Sequence, residues 1–254
     1  MRTRPYLWTA LGTLTMLALA VTARSQTNPD ALWHIVHDRC VPSARSGPPA
    51  PCLSIGPDDI VLKDINGRTQ VLLIPTARIT GIEDPALLAP PTASGPAPNY
   101  FADAWHARLD VDRLVGHPLP RDAIALAVNP PGNRSQNQLH IHVDCLRPDI
   151  RDAVPHLMIG PTWTMLPDPL QGQRYAAMRL DGTTLGQDPF RLLADNLPGA
   201  RTTMADYTLV VIGTDTPGFI LLAGRIGPDG PGHGEDLQDH TCALADQITR
   251  EGPR

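Results

Sequence analysis

The sequence is poor in aromatic residues and in lysine, and it lacks the loops of the common nucleotide-binding and hydrolase motifs. Aromatic side chains make up 4% of the 254 residues, too few for the stacking platforms that bind single-stranded nucleic acids. The net charge of −5 argues against a general polyanion binder, so we expect no nucleic-acid partner. No Walker loop, GxGxxG loop or GxSxG elbow occurs. Lys63 is the single lysine among 21 basic residues.

What the chain does contain is enough apolar sequence for a core. Hydrophobic residues make up 42% of the chain, which is typical of a globular protein. At this length we expect one large domain or two small ones.

Residues 1–25 form the most apolar segment of the sequence. Arg2 and Arg4 precede a stretch, residues 6–23, without acidic or basic side chains. Such a segment is typical of a secretory signal cleaved near Ala23, or of a single membrane anchor close to the minimum spanning length. Both interpretations place the body outside the cytoplasm, because basic residues ahead of the span stay on the cytoplasmic side.

The four cysteines fit an exported protein. Cys40, Cys52, Cys145 and Cys242 allow three pairings, and spacing alone does not choose among them. A Cys40–Cys52 bridge would close a loop rich in proline, serine and glycine, which would leave Cys145 for Cys242. A zinc site is the alternative to disulfides, but the CxxC spacing that is typical of such sites does not occur. We therefore expect two disulfides.

The periodicity of the sequence predicts an α+β fold. Strands and hairpins come from alternating or short apolar runs, and helices from capped 3–4 patterns. We find no internal sequence repeat. The predicted elements are a helix at 28–40, a hairpin at 60–75 around Asn66 and Gly67, a helix at 99–115, strands at 123–128, 138–146, 161–166 and 172–180, a short helix at 188–196, a hairpin at 207–223 and a closing helix at 235–247.

The strand predicted at 138–146 carries the chemistry. Gln138, His140, His142 and Asp144 alternate with apolar residues, so they share one face, which we expect to be open. The two imidazoles would then lie roughly 6.5–7 Å apart. A polar loop, residues 129–137, leads into the strand.

Three functions are compatible with this strand. A neutral imidazole can attack phosphorus and form a phospho-histidine, with Asn129, Arg134, Ser135, Gln136 and the loop amides as donors to phosphate oxygens. Alternatively, His140, His142 and Asp144 could bind a metal. A third possibility is an exported lipid-binding protein without turnover.

Several segments together resemble the histidine-triad (HIT-like) superfamily and, within it, the CDP-diacylglycerol pyrophosphatase family. The four cysteines also fall where that family has them. The segments are 61–67 (VLKDING), 71–75 (VLLIP), 78–81 (RITG), 99–101 (NYF), 134–142 (RSQNQLHIH) and 145–149 (CLRPD).

The resemblance implies a HIT-like antiparallel sheet with flanking helices over residues 28–252. It also implies hydrolysis of the lipid CDP-diacylglycerol to CMP and phosphatidate at the bacterial inner membrane, with a periplasmic body. Neither a cofactor nor a metal is implied. Lys63 joins the expected substrate contacts.

The triad motif fits in two frames, because this chain has two histidines where the superfamily has three. In the first frame His142 is the nucleophile, His140 precedes it, and Asp144 takes the third place. In the second frame Gln138 comes first, His140 attacks, and His142 is third. We favour the first frame, because it keeps the superfamily spacing for Asn129 and Gln136.

Overall fold

A computed structural model describes residues 28–91 and 95–251. Within them the strands form one nine-stranded sheet in which every neighbouring pair is antiparallel. The predicted α+β class is confirmed. The predicted anchor or signal segment, residues 1–25, lies outside the described residues. No helix within the described ranges has both the length and the apolar character that crossing a bilayer requires.

The sheet has the strand order β1-β2-β3-β5-β4-β8-β9-β7-β6. The predicted hairpins are confirmed, with Val61 opposite Leu73 in the first and Val211 opposite Leu221 in the second. The strands are β1 (Ser54–Ile55), β2 (Asp59–Lys63), β3 (Val71–Pro75), β4 (Ile124–Val128), β5 (Ile141–Cys145), β6 (Thr164–Met165), β7 (Tyr175–Asp181), β8 (Tyr207–Gly213) and β9 (Gly218–Arg225).

Without β1, which lies at one edge, the sheet consists of two four-stranded units. Read inward from its own edge, each unit has the same order of strands along the chain. The first unit comprises β2, β3, helix α3 (Tyr100–Val115), β4 and β5, with sheet order β2-β3-β5-β4. The second unit comprises β6, β7, helix α5 (Pro189–Asn196), β8 and β9, with order β6-β7-β9-β8. The units join where β4 pairs antiparallel with β8, with Leu126 opposite Val211. The fold therefore repeats one supersecondary unit about an approximate twofold axis, although the sequence shows no repeat.

Helices α3 and α5 pack on the same face of the sheet. Phe101 of α3 and Phe190 of α5 are buried, with ring centroids 4.9 Å apart. Asn99 caps α3 by accepting a hydrogen bond from the N–H of Ala102, and Gly116 ends it at φ 97°, a left-handed conformation that glycine adopts without strain. The predicted helix is thus confirmed at both ends.

The apolar face of α3 is rotated relative to the prediction. The 3–4 spacing of Phe101, Trp105 and Leu109 predicts that Leu109 faces the core, but it is 45% exposed, whereas Val111 is fully buried. Each large apolar side chain buried in this way stabilises the fold by about 2 kcal/mol.

The opposite face of the sheet is covered in sections. A helical stretch covers β2 and β3, burying Leu32 and Val36 against Ile60 and Ile74. It comprises helix α1 (Ala31–His34), a π-helical segment (Ile35–Cys40) and helix α2 (Val41–Ser43), close to the helix predicted at 28–40. Helix α4 (Pro148–Ala153) and the C-terminal segment cover the middle of the sheet, where Ile150 and Leu237 share a cluster with Ala125 and Val210. The polar side chains of β5 lie between these two covers.

Both expected disulfides are present. Cys40 bonds to Cys52 and Cys145 to Cys242, with sequence separations of 12 and 97 residues. The second bond attaches the C-terminal segment to strand β5.

The predicted closing helix at 235–247 is wrong in its first half. Gly234–Leu237 is a 3-10 turn, and helix α6 (Ala243–Glu251) starts after Cys242. Cys242 lies at φ 54°, outside the right-handed helical region, so the helix starts only after it. The Asp239 carboxylate accepts a hydrogen bond of 2.8 Å from the N–H of Ala243, the first residue of the helix.

The remaining predicted elements are confirmed with shifted bounds. The strand predicted at 161–166 is reduced to the two residues of β6, and α5 starts after the capping residue Asp188. Short 3-10 helices complete the structure: Pro85–Leu88, Arg121–Ala123, Pro131–Asn133, Val154–His156, Ala200–Thr202 and Met204–Asp206.

Candidate active site

Strand β5 and the residue just before it bring the two histidines together. Their ring centroids lie 4.8 Å apart, with an angle of 70° between the ring planes. The expectation that this face is open is wrong, because His142 is 7% exposed and Asp144 is fully buried. The β2–β3 turn and the segment 234–242 cover the strand from two sides. The regular strand also begins only at Ile141.

The two ring nitrogens of His142 are both engaged. Its Nδ1 accepts a hydrogen bond of 3.1 Å from the Gln70 side-chain amide. The ring proton therefore resides on Nε2, which faces the Glu235 carboxylate at 3.1 Å. Burial, and then the neighbouring charges of His140 and His240, hold the pKa of His142 well below its usual range. His142 is thus neutral at pH 7 and has no free lone pair.

His140 has the opposite arrangement. Its Nδ1 lies 2.7 Å from the carbonyl oxygen of Gln138, and a carbonyl only accepts, so Nδ1 carries the proton. The Nε2 lone pair makes no hydrogen bond to any other described residue. The ring is partly exposed. Burial lowers the pKa of His140, which keeps the lone pair unprotonated at neutral pH.

Glu235 reaches the site from the C-terminal segment. Its Oε1 accepts a hydrogen bond from Asn129 Nδ2 and lies 3.1 Å from His142 Nε2. Burial raises the pKa of Glu235. A carboxylate with a raised pKa beside a buried imidazole can accept and return a proton near neutral pH.

Asp144 is turned away from the two histidines and bound elsewhere. Its carboxylate accepts hydrogen bonds from Thr69 Oγ1 at 3.0 Å and from the Cys145 N–H at 2.9 Å. Its other oxygen lies 2.9 Å from His240 Nδ1. This bond raises the pKa of His240, while burial raises that of Asp144. All three of these partners lie away from the His140 and His142 rings.

The described residues contain no group of three or more His, Cys, Asp or Glu side chains with the geometry of a metal site. His140, His142 and Asp144, the ligand set of the metal hypothesis, point to different partners. The residues present therefore do not form that ligand set.

Two comparisons with known proteins bear on this site. The family model for CDP-diacylglycerol pyrophosphatase matches residues 27–246. A curated protein of Yersinia pestis named "CDP-diacylglycerol pyrophosphatase" is 40% identical over 249 residues, covering 95% of each chain. The chain belongs to the CDP-diacylglycerol pyrophosphatase family. The family and the enzyme class expected from the sequence are confirmed.

In this member of the family, the loop at 129–137 lies beside the histidines. Asn129 is buried. Its Nδ2 donates to the Glu235 carboxylate, and its Oδ1 accepts a hydrogen bond of 2.9 Å from the Gly234 N–H. The backbone N–H groups of Ser135 and Gln136 donate to no other described residue, so they remain free to bind an anion. The Gln136 side chain instead bonds the start of α1, through the Leu32 N–H.

The other two predicted substrate contacts are already engaged. Arg134 is 4% exposed and donates to both carboxylate oxygens of Glu83, at 2.8 and 2.5 Å. A Cβ on Gly81 would lie 2.3 Å from its guanidinium, which explains the glycine there. Lys63 donates to carbonyls of the β2–β3 turn, those of Asp64 and Gly67.

Sequence reasoning missed several residues that surround the histidines. Asp64 lies 3.9 Å from His142 Nδ1. Gln70 and Asp64 follow from the predicted hairpin only if its turn folds toward β5. Glu235 and His240 lie about a hundred positions along the chain, and Cys242 was the sole signal that their segment returns to β5. His233, which was assigned no role, lies 3.9 Å from Glu235.

Proposed function

We propose that this protein hydrolyses CDP-diacylglycerol to CMP and phosphatidate through a nucleotidyl-histidine intermediate on His140. One observation carries the assignment to this residue: His140 is partly exposed, its Nε2 has no partner among the described residues, and its Nδ1 proton is fixed by the Gln138 carbonyl. This arrangement favours the second triad frame over the first. In the first frame, His142 would have to lose the Gln70 hydrogen bond before it could attack.

In the first step, the Nε2 lone pair of His140 attacks the phosphorus that bears the ribose of CMP. A P–N bond forms, the P–O bond to the second phosphate breaks, and phosphatidate leaves with the bonding electrons. The modified ring is cationic, because Nδ1 keeps its proton. The Gln138 carbonyl stabilises that charge, as a hydrogen bond to a cation is about twice as strong as a neutral one.

The oxygens of the pyrophosphate need donors while negative charge develops on them. The free N–H groups of Ser135 and Gln136 supply two. The His142 ring, in edge-to-face contact with His140, holds the attacking ring in position. Arg134 acts indirectly by fixing the loop to Glu83.

In the second step, water attacks the same phosphorus and the P–N bond breaks. Glu235 accepts the proton of that water, and CMP leaves. His140 regains its original tautomer. Burial raises the pKa of Glu235, which favours this uptake, and the carboxyl group returns the proton to solvent before the next turnover.

The substrate is a lipid, so we propose that the protein works at the face of the bacterial inner membrane. The apolar residues 6–23 would serve as an anchor or an export signal, with the body in the periplasm. An anchor would also raise the effective concentration of the site at the bilayer. We further propose that each unit of the sheet is HIT-like.

The test is hydrolysis of CDP-diacylglycerol in vesicles suspended in ¹⁸O-water. The mechanism predicts that ¹⁸O enters CMP and not phosphatidate, because water attacks the nucleotidyl phosphorus. Label in phosphatidate would contradict attack at that phosphorus. Absence of CMP release would reject the activity and favour a lipid-binding protein.

A further inference from the structure

The second unit keeps the architecture of the first but none of its histidine chemistry. Strand β9 corresponds to β5, and the face that corresponds to the histidines carries Gly218, Ile220, Leu222 and Gly224. No side chain on this face of β9 can take a proton or attack phosphorus. The unit is therefore free to use the corresponding place for something else.

A cavity of about 320 Å³ lies at that place. It is bounded by the β8–β9 turn, including Thr214 and Thr216, just as the β4–β5 loop bounds the histidine site. From three strand spacings and four residues along β9, its distance from His140 is roughly 20 Å. Its volume falls in the range of ligand pockets. We call it the second-unit cavity.

The polar residues that line the second-unit cavity are Asp122, Arg151, Arg179, Thr214, Asp215 and Thr216. The other large lining residues are aliphatic, and none is aromatic. Base stacking is therefore impossible there, which excludes a second nucleotide site of the ordinary kind. An aliphatic chain fits such a lining. The apolar lining residues are Leu146, Val154, Leu157, Ile159, Ile212 and Ile220.

Two arginines lie in the cavity wall, and they differ in their engagement. Arg151 forms a bidentate pair with Asp122, at 2.9 and 3.2 Å. Arg179 makes only long contacts, 3.3 Å to Thr216 Oγ1 and 3.4 Å to Asp181 Oδ1, and the Asp181 side chain is 90% exposed. A guanidinium held this weakly is available to an anion.

The segment that lines one side of the cavity also carries an exposed apolar side chain. Met158 is 98% exposed, and it stands between Leu157 and Ile159, which line the cavity. Fully exposed methionines are adaptable apolar contact surfaces.

We propose that the second-unit cavity binds a fatty-acyl chain that carries an anionic head group, with the chain against the aliphatic lining and the head group on Arg179. The site is separate from the histidine site and does not depend on hydrolysis of CDP-diacylglycerol. It assigns the histidine-free unit a binding role on the same face of the sheet as the proposed chemistry.

The test is calorimetric titration of the full chain with dodecanoate and with dodecyl phosphate, each below its micelle concentration. We expect saturable binding of at least one probe, and the two arms distinguish a carboxylate from a phosphate head group. Leu157→Trp, which fills the cavity from a partly exposed position, should weaken binding at least tenfold. Arg179→Gln should weaken it about fivefold, because it removes a charge-assisted contact.

Matched controls lie outside the cavity. Leu109→Trp adds the same side chain to the surface of α3, and Arg201→Gln removes an arginine outside the cavity; both should bind like the wild type. His140→Ala should also bind normally, so loss of hydrolysis and loss of this site can be distinguished. If Leu157→Trp does not fold by circular dichroism, Arg179→Gln decides. Absence of saturable binding, unchanged affinity in the folded cavity variants, or displacement of the probe by CMP would overturn the proposal.

Discussion

The two units of the sheet share a topology and differ in what one face presents. In the first unit that face carries His140 and His142, and in the second it carries Ile220 and Leu222. The backbone arrangement is the same, so it cannot by itself account for the chemistry. The comparison teaches that a fold supplies positions and that individual side chains decide the function.

The asymmetry between the units also depends on a segment outside both. Residues 234–242 follow the second unit in sequence but lie over the first, where they supply Glu235 and His240. The Cys145–Cys242 bond attaches this segment to β5. This segment therefore places a proton acceptor, Glu235, beside the histidines of the first unit.

The sharpest way to test this comparison is to remove the nucleophile. We expect His140→Ala to lower kcat by roughly 10⁴-fold or more, because a lost nucleophile is not replaced by its neighbours. His142→Ala should lower kcat by about 10–100-fold, since its contacts position other groups. Turnover of CDP-diacylglycerol, measured as CMP release, checks both.

The matched control for these variants lies in the second unit. Ile220→Val removes one methylene from the corresponding face and should cost about 1 kcal/mol of stability with kcat unchanged. A His142→Ala variant less active than His140→Ala would instead favour the first triad frame.

The next largest effect concerns Glu235. Glu235→Gln should lower kcat by about 10²-fold, in the range of general acid–base catalysis. Only the ionised carboxylate accepts a proton, so wild-type activity should fall as pH drops through the pKa of Glu235. Burial raises that pKa, so the fall should occur above the ordinary glutamate range of about 4.3.

A pH profile of kcat separates this role from a structural one. The part of the acid limb that follows Glu235 should disappear in Glu235→Gln, because glutamine does not titrate, and the remaining loss of activity at low pH should then come from protonation of His140 alone. An acid limb that survives unchanged in this variant would assign it to another group.

The smallest expected effect distinguishes the two disulfides. Replacing Cys145 and Cys242 by alanine should reduce the free energy of unfolding by about 4–5 kcal/mol, against about 3 kcal/mol for Cys40 and Cys52, because the longer loop loses more entropy on closure. The first replacement should also lower kcat, since it releases the segment that carries Glu235. Urea unfolding measures the loss of stability, and CMP release measures the loss of kcat. Equal losses in the two double variants would contradict the prediction.

The sequence predicted the elements whose signals are local. Alternation around His140, the turn at Asn66 and the capped helix ending at Gly116 each depend on a few neighbouring residues, and each was found. Leu109 was misassigned because the face of a helix depends on the angle at which it packs, which its own periodicity does not determine.

The surroundings of the histidines depend on distant residues and could not be derived in this way. Glu235 is 93 positions from His142, and no periodicity links them. Arg134 appeared to be a substrate contact, since nothing near it in sequence identifies Glu83 as its partner. The repeated unit escaped notice because aliphatic residues on β9 share no pattern with the polar ones on β5.

The central claim is that His140, and not His142, carries the nucleotide during turnover. The direct measurement is to mix the enzyme with CDP-diacylglycerol labelled in the cytidine, quench without acid to preserve a phospho-histidine, and locate the label by fragment-ion mass spectrometry of the peptide that contains both residues. The account predicts label on His140, more of it in Glu235→Gln and none in His140→Ala. Label on His142, or its persistence in His140→Ala, would contradict the account.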